Sequence, residues 1–456
     1  MTKRESDENI SGRRGSRPSM GGSGAAPSLL DQPRFHYAWI VLAMATLVVF
    51  GALGLARFGY TAVLPAMQEG LNIANTQAGA LATANLIGYL LMALVSGALA
   101  TRFGPRRVIV AGLAVAGAGM LLTATARSLS AAAAWRFLTG AGSGAGNVPV
   151  MALLSAWFGA RRRGMATGIG VAGSSIALIL VGPTAPLLLA AGGANGWRLC
   201  WLAFGGLALI LAVAAYALLR DRPADLGLAP LGAADGAPPP AAADKPRWRD
   251  VYRAAPVWHL GFVYTAFGFA YIIYMTFFVK RLVADGGYSR QAAGHLFMLL
   301  GWVSLFCGLL WGSLSDRIGR RNALILVYLV QATAYLVFAL WPRPAGFTLS
   351  AVLFGLTAWS IPAIMAAACG DILGPRLAPA ALGFITLFFG IGQAVGPSVA
   401  GFLADATGSF ASAFLLATAV SILGALGAGT LRTPRRGGQM AVGADRPPEE
   451  LSCASR

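Results

Sequence analysis

Twelve runs of mostly apolar residues succeed one another between residues 37 and 430, each long enough for an α-helix to cross the roughly 30 Å hydrocarbon core of a bilayer. They cover about 37–66, 76–100, 108–126, 131–158, 165–189 and 198–219, then, after a break, about 256–279, 291–314, 322–341, 346–369, 380–404 and 409–430. Lipid is therefore the solvent of most of the chain. With 57% hydrophobic and 11% charged residues, against roughly 25% charged in soluble domains, a soluble enzyme is excluded. The alternation over about ten residues that membrane β-strands require does not dominate, so the chain reads as an all-α membrane protein.

The break divides the spans six and six. Residues 220–255 include Pro238, Pro239 and Pro240 among Ala and Gly, a composition that cannot bury a core and suits a flexible linker. Its last stretch is compatible with a surface helix. The organisation expected is a disordered tail over 1–34, a six-helix bundle over 35–219, the linker over 220–255, a second six-helix bundle over 256–431 and a disordered tail over 432–456. The first tail lacks the apolar core and cleavage site of a signal peptide, so the first helix is expected to be retained.

Of the 35 Lys and Arg residues, 27 fall in the tails and loops of one side, six in the loops of the other, and Arg57 and Arg136 lie within spans. The positive-inside rule then places both termini in the cytoplasm. A net charge of +18 would suit a nucleic-acid binder, but these charges sit in short loops where topology and anionic membrane lipid account for them. No nucleic-acid partner is expected. Cys200, Cys307 and Cys369 lie in apolar runs and Cys453 in the polar tail, without the spacing of a disulfide framework or metal site. Neither cofactor nor metal is expected.

The halves repeat at an offset of 215: Gly97, Thr101, Arg102, Gly104 and Arg106 after the second span correspond to Gly312, Asp316, Arg317, Gly319 and Arg321 after the eighth. Gly140 matches Gly355 and Gly168 matches Gly383 at the same offset, and Gly182-Pro183 matches Gly396-Pro397 at 214. Parallel halves of this kind imply two six-helix bundles facing each other across a central cavity, with substrate near the midplane.

The loop from Gly312 to Arg321, with its weaker copy from Gly97 to Arg107, resembles the signature loop of the major facilitator superfamily, and Arg136, Gly140 and Gly142 resemble that family's second motif. Trp157 and Phe158 followed by Arg161, Arg162, Arg163 and Gly164, then Gly196, Trp197 and Arg198, then Arg222, Pro223 and Gly227, are similar to bacterial relatives of monocarboxylate and oxalate/formate porters. The stretch Ala56 to Tyr60, ending in Leu64 and Pro65, resembles instead an uncharacterised bacterial group of the superfamily. The resemblance implies the major facilitator fold in two pseudo-symmetric bundles, alternating access, a monomer, and a multi-pass location in the bacterial cytoplasmic (inner) membrane.

In that family the acidic residue of the loop stabilises the outward-open state. Asp316, at the inner end of the eighth span, can hold Arg317, Arg320 or Arg321 and face the positive N-terminus of a neighbouring helix when the bundles close. Arg102, Arg106 and Arg107 are the counterparts in the first copy, and fixing topology is the other reason for all these arginines. The first copy has Thr101 where the acid belongs and Pro105 where an arginine is common, so closure is expected to lean on the second. Gly182-Pro183 resembles an antiporter motif, but the Gly-Gly that should follow is absent, and no antiport is inferred. Pro149, Pro183, Pro362 and Pro397 are expected to bend their helices.

An arginine at bilayer depth costs roughly 2.5–3.5 kcal/mol on insertion scales and marks a functional site unless it snorkels to an interface. Between Glu69 and Asp221 there is no Asp or Glu, so neither Arg57 nor Arg136 has an intramembrane carboxylate in its own half. A bound anion would offset their desolvation. The repeat offset leads to Ile272 and Ala351, so the second half lacks both cations, and an off-centre positive charge suits a monoanion.

Tyr264, Phe267, Tyr271, Tyr274 and Phe278 follow spacings of 3, 4, 3 and 4, which puts them on one helix face. The stripe is either packing or cavity lining, since three phenols in hydrocarbon each need a partner. Asn85, Tyr89 and Asn147 offer donors to a carboxylate, or glue between helices. The candidate substrate-binding residues are thus Arg57, Tyr60, Asn85, Tyr89, Arg136, Asn147, Tyr264, Tyr271 and Tyr274. The function expected is secondary active transport of a small organic anion such as a monocarboxylate, coupled to protons. The alternative is a proton-coupled exporter of hydrophobic or cationic compounds, which the lack of an intramembrane carboxylate disfavours. No nucleophile cluster, metal-ligand set or carboxylate pair points to an enzyme.

Overall fold

The structure, a computed structural model, describes residues 36–232 and 248–431; both expected tails and the Pro-rich part of the linker lie outside the described residues. In the first half, α1 is Ala38–Leu71, α2 Asn75–Phe103, α3 Pro105–Thr125 and α4 Leu129–Trp157. α5 is Ala160–Val171 continued by Gly173–Gly192, and α6 is Gly196–Leu218. In the second half, α7 is Ala255–Ala284, α8 is Arg290–Ser304 continued by Cys307–Ile318, and α9 is Arg320–Leu340. α10 covers Pro344–Gly374 with a break at Ala358 and Trp359, α11 is Ala380–Thr407 and α12 Ala411–Gly429.

Each expected span has its helix. α8 departs from a single rod, because its break at Leu305 and Phe306 leaves pieces of 15 and 12 residues. The repeat is visible in the backbone: Gly104 and Gly319, 215 apart, both turn at φ +86°, a conformation open to glycine and strained for other residues. Pro105 then occupies the first turn of α3, where its missing N–H costs nothing.

The start of the expected linker is fastened rather than free. The Leu231 N–H donates to the Trp157 carbonyl at 2.9 Å, the Gly159 N–H donates to Leu231 at 3.0 Å, and Trp157 Nε1 donates to the Arg220 carbonyl at 2.9 Å. Residues 220–232 thereby close over the end of α4. A short helix, Trp248–Arg253, stands where a surface helix was expected.

The two bundles meet along two seams, α2 with α11 and α5 with α8. A Cβ on Gly182 or on Gly294 would collide with the other's carbonyl oxygen, and one on Gly79 would collide with the carbonyl of Pro397. Gly182-Pro183 and Gly396-Pro397, equivalent in the repeat, thus serve equivalent seams by close backbone approach. Polar ties reinforce them. Thr61 Oγ1 donates to the Met275 carbonyl at 2.6 Å, Thr83 Oγ1 donates to Ala394 at 2.7 Å, and Glu69 pairs with Arg290 at 2.6 Å. That ion pair is exposed, 62% and 40%, and contributes at most about 1 kcal/mol.

These contacts occupy one half of the length of the spanning helices. They run from the loops at 72–74 and 285–289 to the middle of the helices, where Ser304 Oγ donates to Ser175 Oγ at 2.9 Å and Trp359 Nε1 donates to the same Ser175 oxygen at 3.0 Å. Toward the face that carries the Gly104 and Gly319 turns, Gly164, Gly168, Gly308, Gly312 and Gly383 have open space where a Cβ would stand. The cleft between the halves opens on that basic-loop face and is shut on the opposite one.

Candidate functional site

The floor of the cleft is built around an irregular segment of α1. Residues Phe50–Phe58 form a π-helix, a wider turn that frees backbone carbonyls and is frequent at functional sites. Gly51 and Gly54 lower the cost of leaving α-geometry, and a Cβ on Gly54 would collide with Ala177 of α5. The carbonyls find partners on α4: Arg136 Nη1 donates to Ala56 at 2.9 Å, and Ser143 Oγ donates to Ala52. Without them the segment would carry unsatisfied backbone in hydrocarbon.

Arg57, at the end of this segment, reaches across the cleft. Its Nη2 donates to Gln393 Oε1 on α11 at 2.8 Å, and Gln393 Nε2 donates to the Tyr271 hydroxyl on α7. The guanidinium lies over the Tyr89 ring, 5.2 Å from its centre, and Asn147 Nδ2 donates to the Tyr89 hydroxyl at 3.1 Å. Two polar atoms here are buried without a protein partner: Arg57 Nε and Asn147 Oδ1. Five helices thus bring a cation, a spare donor and a spare acceptor to one place.

Arg136 has a different task. It is 1% exposed, and its guanidinium lies beside the rings of both Tyr60, at 4.8 Å, and Trp201, at 4.7 Å. Cation–π contacts of this kind contribute up to about 2 kcal/mol each when desolvated, comparable to the roughly 2.5–3.5 kcal/mol cost of placing the charge at depth. Asn85 Nδ2 donates to the Arg136 carbonyl at 3.0 Å, and the Tyr60 hydroxyl donates to Ala78 at 2.7 Å. Tyr60, Asn85 and Arg136 therefore hold α1, α2 and α4 together rather than reaching into the open cleft. Between them and Arg57 lies a cavity of about 10 Å³, room for a single water.

The aromatic stripe divides. Tyr264, Phe267 and Tyr271 stack along α7, with Phe389 of α11 laid against them at 4.6, 5.6 and 5.8 Å. Tyr274 turns the other way: its hydroxyl meets Ser350 Oγ at 2.8 Å, and its ring packs among Tyr335, Phe338, Phe354 and Phe414 inside the second bundle. This corrects the placement of Tyr274 on the cavity. Gln393 is not among the residues the sequence singles out, because it carries neither a charge nor a phenol. Its signal was a single Gln inside the run at 380–404.

On the basic-loop face the signature residues bond within their own halves. Arg320 pairs with Asp316 at 2.6 Å and with Asp371 of α10 at 3.1 Å. Arg106 donates through Nε and Nη2 to the Tyr216 carbonyl at 3.1 and 2.5 Å, while its backbone N–H donates to Asp221 at 2.7 Å. Arg102, Arg107, Arg317 and Arg321 are exposed. Asp221, beyond the end of α6, thus caps the start of α3 in the copy that has Thr101 in place of an acid.

Two bundles of six helices around a one-sided cleft, with a cation at its floor, define a transporter of the major facilitator type. The chain belongs to the family described as the uncharacterised MFS-type transporter YbfB, whose model matches residues 49–428. It is 26% identical to the probable sulfoacetate transporter SauU of Cupriavidus necator, over 81% of this chain and 88% of that one. It is 27% identical to monocarboxylate transporter 13 of Bos taurus, over 72% of this chain and 74% of that one. In fold it is similar to a bacterial homolog of the human lysosomal transporter Spinster, crystallised inward-facing and unoccupied, with a TM-score of 0.69 at 17% identity, covering 86% of this chain and 95% of that one. The protein is a multi-pass membrane transporter of the alternating-access type, and not an enzyme.

Proposed function

We propose that this transporter carries a small organic anion, with a carboxylate seated on Arg57 and a proton accompanying it. The observation that carries the reading is the state of Arg57: its guanidinium is held over Tyr89 and by one neutral amide, with Nε unpartnered and no carboxylate bonded to it among the described residues. A half-buried cation arranged in this way favours an anion brought from outside. The relatives named for sulfoacetate and monocarboxylate substrates support the class. The ring ladder of Tyr264, Phe267, Tyr271 and Phe389 offers the rest of the molecule an apolar wall, and Asn147 Oδ1 an acceptor for a hydroxyl or a protonated carboxyl.

The coupling follows from what surrounds the site. No Asp, Glu or His bonds to the cluster among the described residues, so the proton compensates the anion's own charge and the cycle is close to electroneutral. The charge bias of the loops supports a cytoplasmic location for both termini. The test is uptake of radiolabelled carboxylates into proteoliposomes at two pH values with the membrane potential clamped. Uptake is expected to rise as outside pH falls and to respond weakly to potential. Transport of cationic compounds only would replace this reading with proton-coupled export.

A further inference from the structure

We propose that Gln393 is a built-in stand-in for the cargo's carboxylate, which occupies Arg57 in the empty transporter and is displaced when cargo binds. The inference rests on the anion reading above. Gln393 is 2% exposed on α11, and its amide orientation is dictated by chemistry: arginine only donates, so the atom facing Nη2 at 2.8 Å is the carbonyl oxygen. The other end of the amide is engaged too, with Nε2 donating to the Tyr271 hydroxyl. The amide is therefore anchored at one end and offers the arginine a neutral acceptor at the other.

That arrangement solves a problem of the empty state. A half-buried guanidinium with no acceptor would carry an uncompensated desolvation cost, and the amide carbonyl removes part of that cost. A carboxylate is a stronger acceptor for a charged donor than an amide, so it takes the Nη2–H bond and Gln393 keeps its hold on Tyr271. A neutral amide or ester of the same acid gains nothing by the exchange. Gln393 thus sets a threshold that admits anions and rejects their neutral analogues. Because Arg57 belongs to the first half and Gln393 to the second, the exchange also loosens one tie between the bundles.

The test is equilibrium binding of acetate, lactate and benzoate, and of the matching amides, to the purified full-length transporter and its variants. An ordinary contact residue weakens binding when it is removed. Gln393→Met, which keeps the volume and removes the competing acceptor, is expected instead to tighten carboxylate binding by roughly tenfold and to narrow the preference for acid over amide. Gln393→Glu, whose own carboxylate would occupy Arg57, is expected to weaken it by at least roughly tenfold. Should Gln393→Met fail to fold, Gln393→Asn, which withdraws the carbonyl by one methylene, carries the same expectation. If wild type binds a carboxylate and the Met or Asn variant binds it more weakly, the stand-in is wrong while the anion reading survives. If no carboxylate binds any of the proteins, the anion reading fails and the stand-in falls with it.

Discussion

Asp405, in the last turn of α11, accepts the hydroxyl of Thr76 at 2.6 Å, the Thr76 N–H at 2.7 Å and the Asn75 N–H at 3.1 Å. A carboxylate of the second half therefore caps the positive N-terminus of α2 in the first. This latch lies on the face where the cleft is shut. Asp316, on the open face, is 66% exposed and pairs only within its own half, with Arg320. The two acids stand on opposite rims, each at the end of a helix of the second bundle.

Asp405→Asn is expected to loosen the shut face. Asn keeps an acceptor for these donors and loses only the charge, which contributes about 0.3–1 kcal/mol at an exposed helix N-terminus, so the balance between the two open states shifts roughly 2- to 5-fold toward opening on that side. Spin labels placed across the rim near Asn72 and Tyr288 measure the distance distribution, and an unchanged distribution would make the latch decorative.

Asp316→Asn is expected to act in the opposite sense, favouring the state described here by weakening closure of the basic-loop face. Thr101→Asp restores the acid missing from the first copy and is expected to favour closure of that face. Labels across the basic-loop rim decide this. If neither substitution moves the distribution, those residues serve topology alone.

The two intramembrane arginines are expected to separate experimentally. Arg57→Gln is expected to abolish carboxylate uptake with little change in thermal unfolding, because the charge it removes makes one side-chain hydrogen bond and one ring contact. Arg57→Lys retains the charge but loses the planar fork, leaving impaired uptake. Arg136→Met orphans the Ala56 carbonyl and two ring faces, and is expected to destabilise by about 2–4 kcal/mol. Thermal unfolding beside proteoliposome uptake distinguishes the cases; equal loss of stability in Arg57→Gln would argue that it is structural too.

Single cysteines at Arg222 or Gly232 are expected to be labelled from the cytoplasmic side in intact cells only after the membrane is permeabilised. Labelling from outside would invert the topology.

The spans and the repeat were legible in the sequence because each depends on one-dimensional quantities. Bilayer thickness sets the length of an apolar run, and a duplicated half keeps its offset, so Gly104 and Gly319 adopt the same turn. Arg57 was legible as a charge in lipid. What the sequence by itself left open is where each helix face points, because 3.6 residues per turn relate residues of one helix to each other and not to the neighbours. Tyr271 and Tyr274 share a side of α7, yet one meets Gln393 at the cleft and the other Ser350 inside the bundle. Arg57 and Gln393 are 336 residues apart. Only the packing of α11 against α2 and α7, and of α1 against α7, allowed by glycines at the seams and by the π-turn that Arg136 supports, decided that they meet.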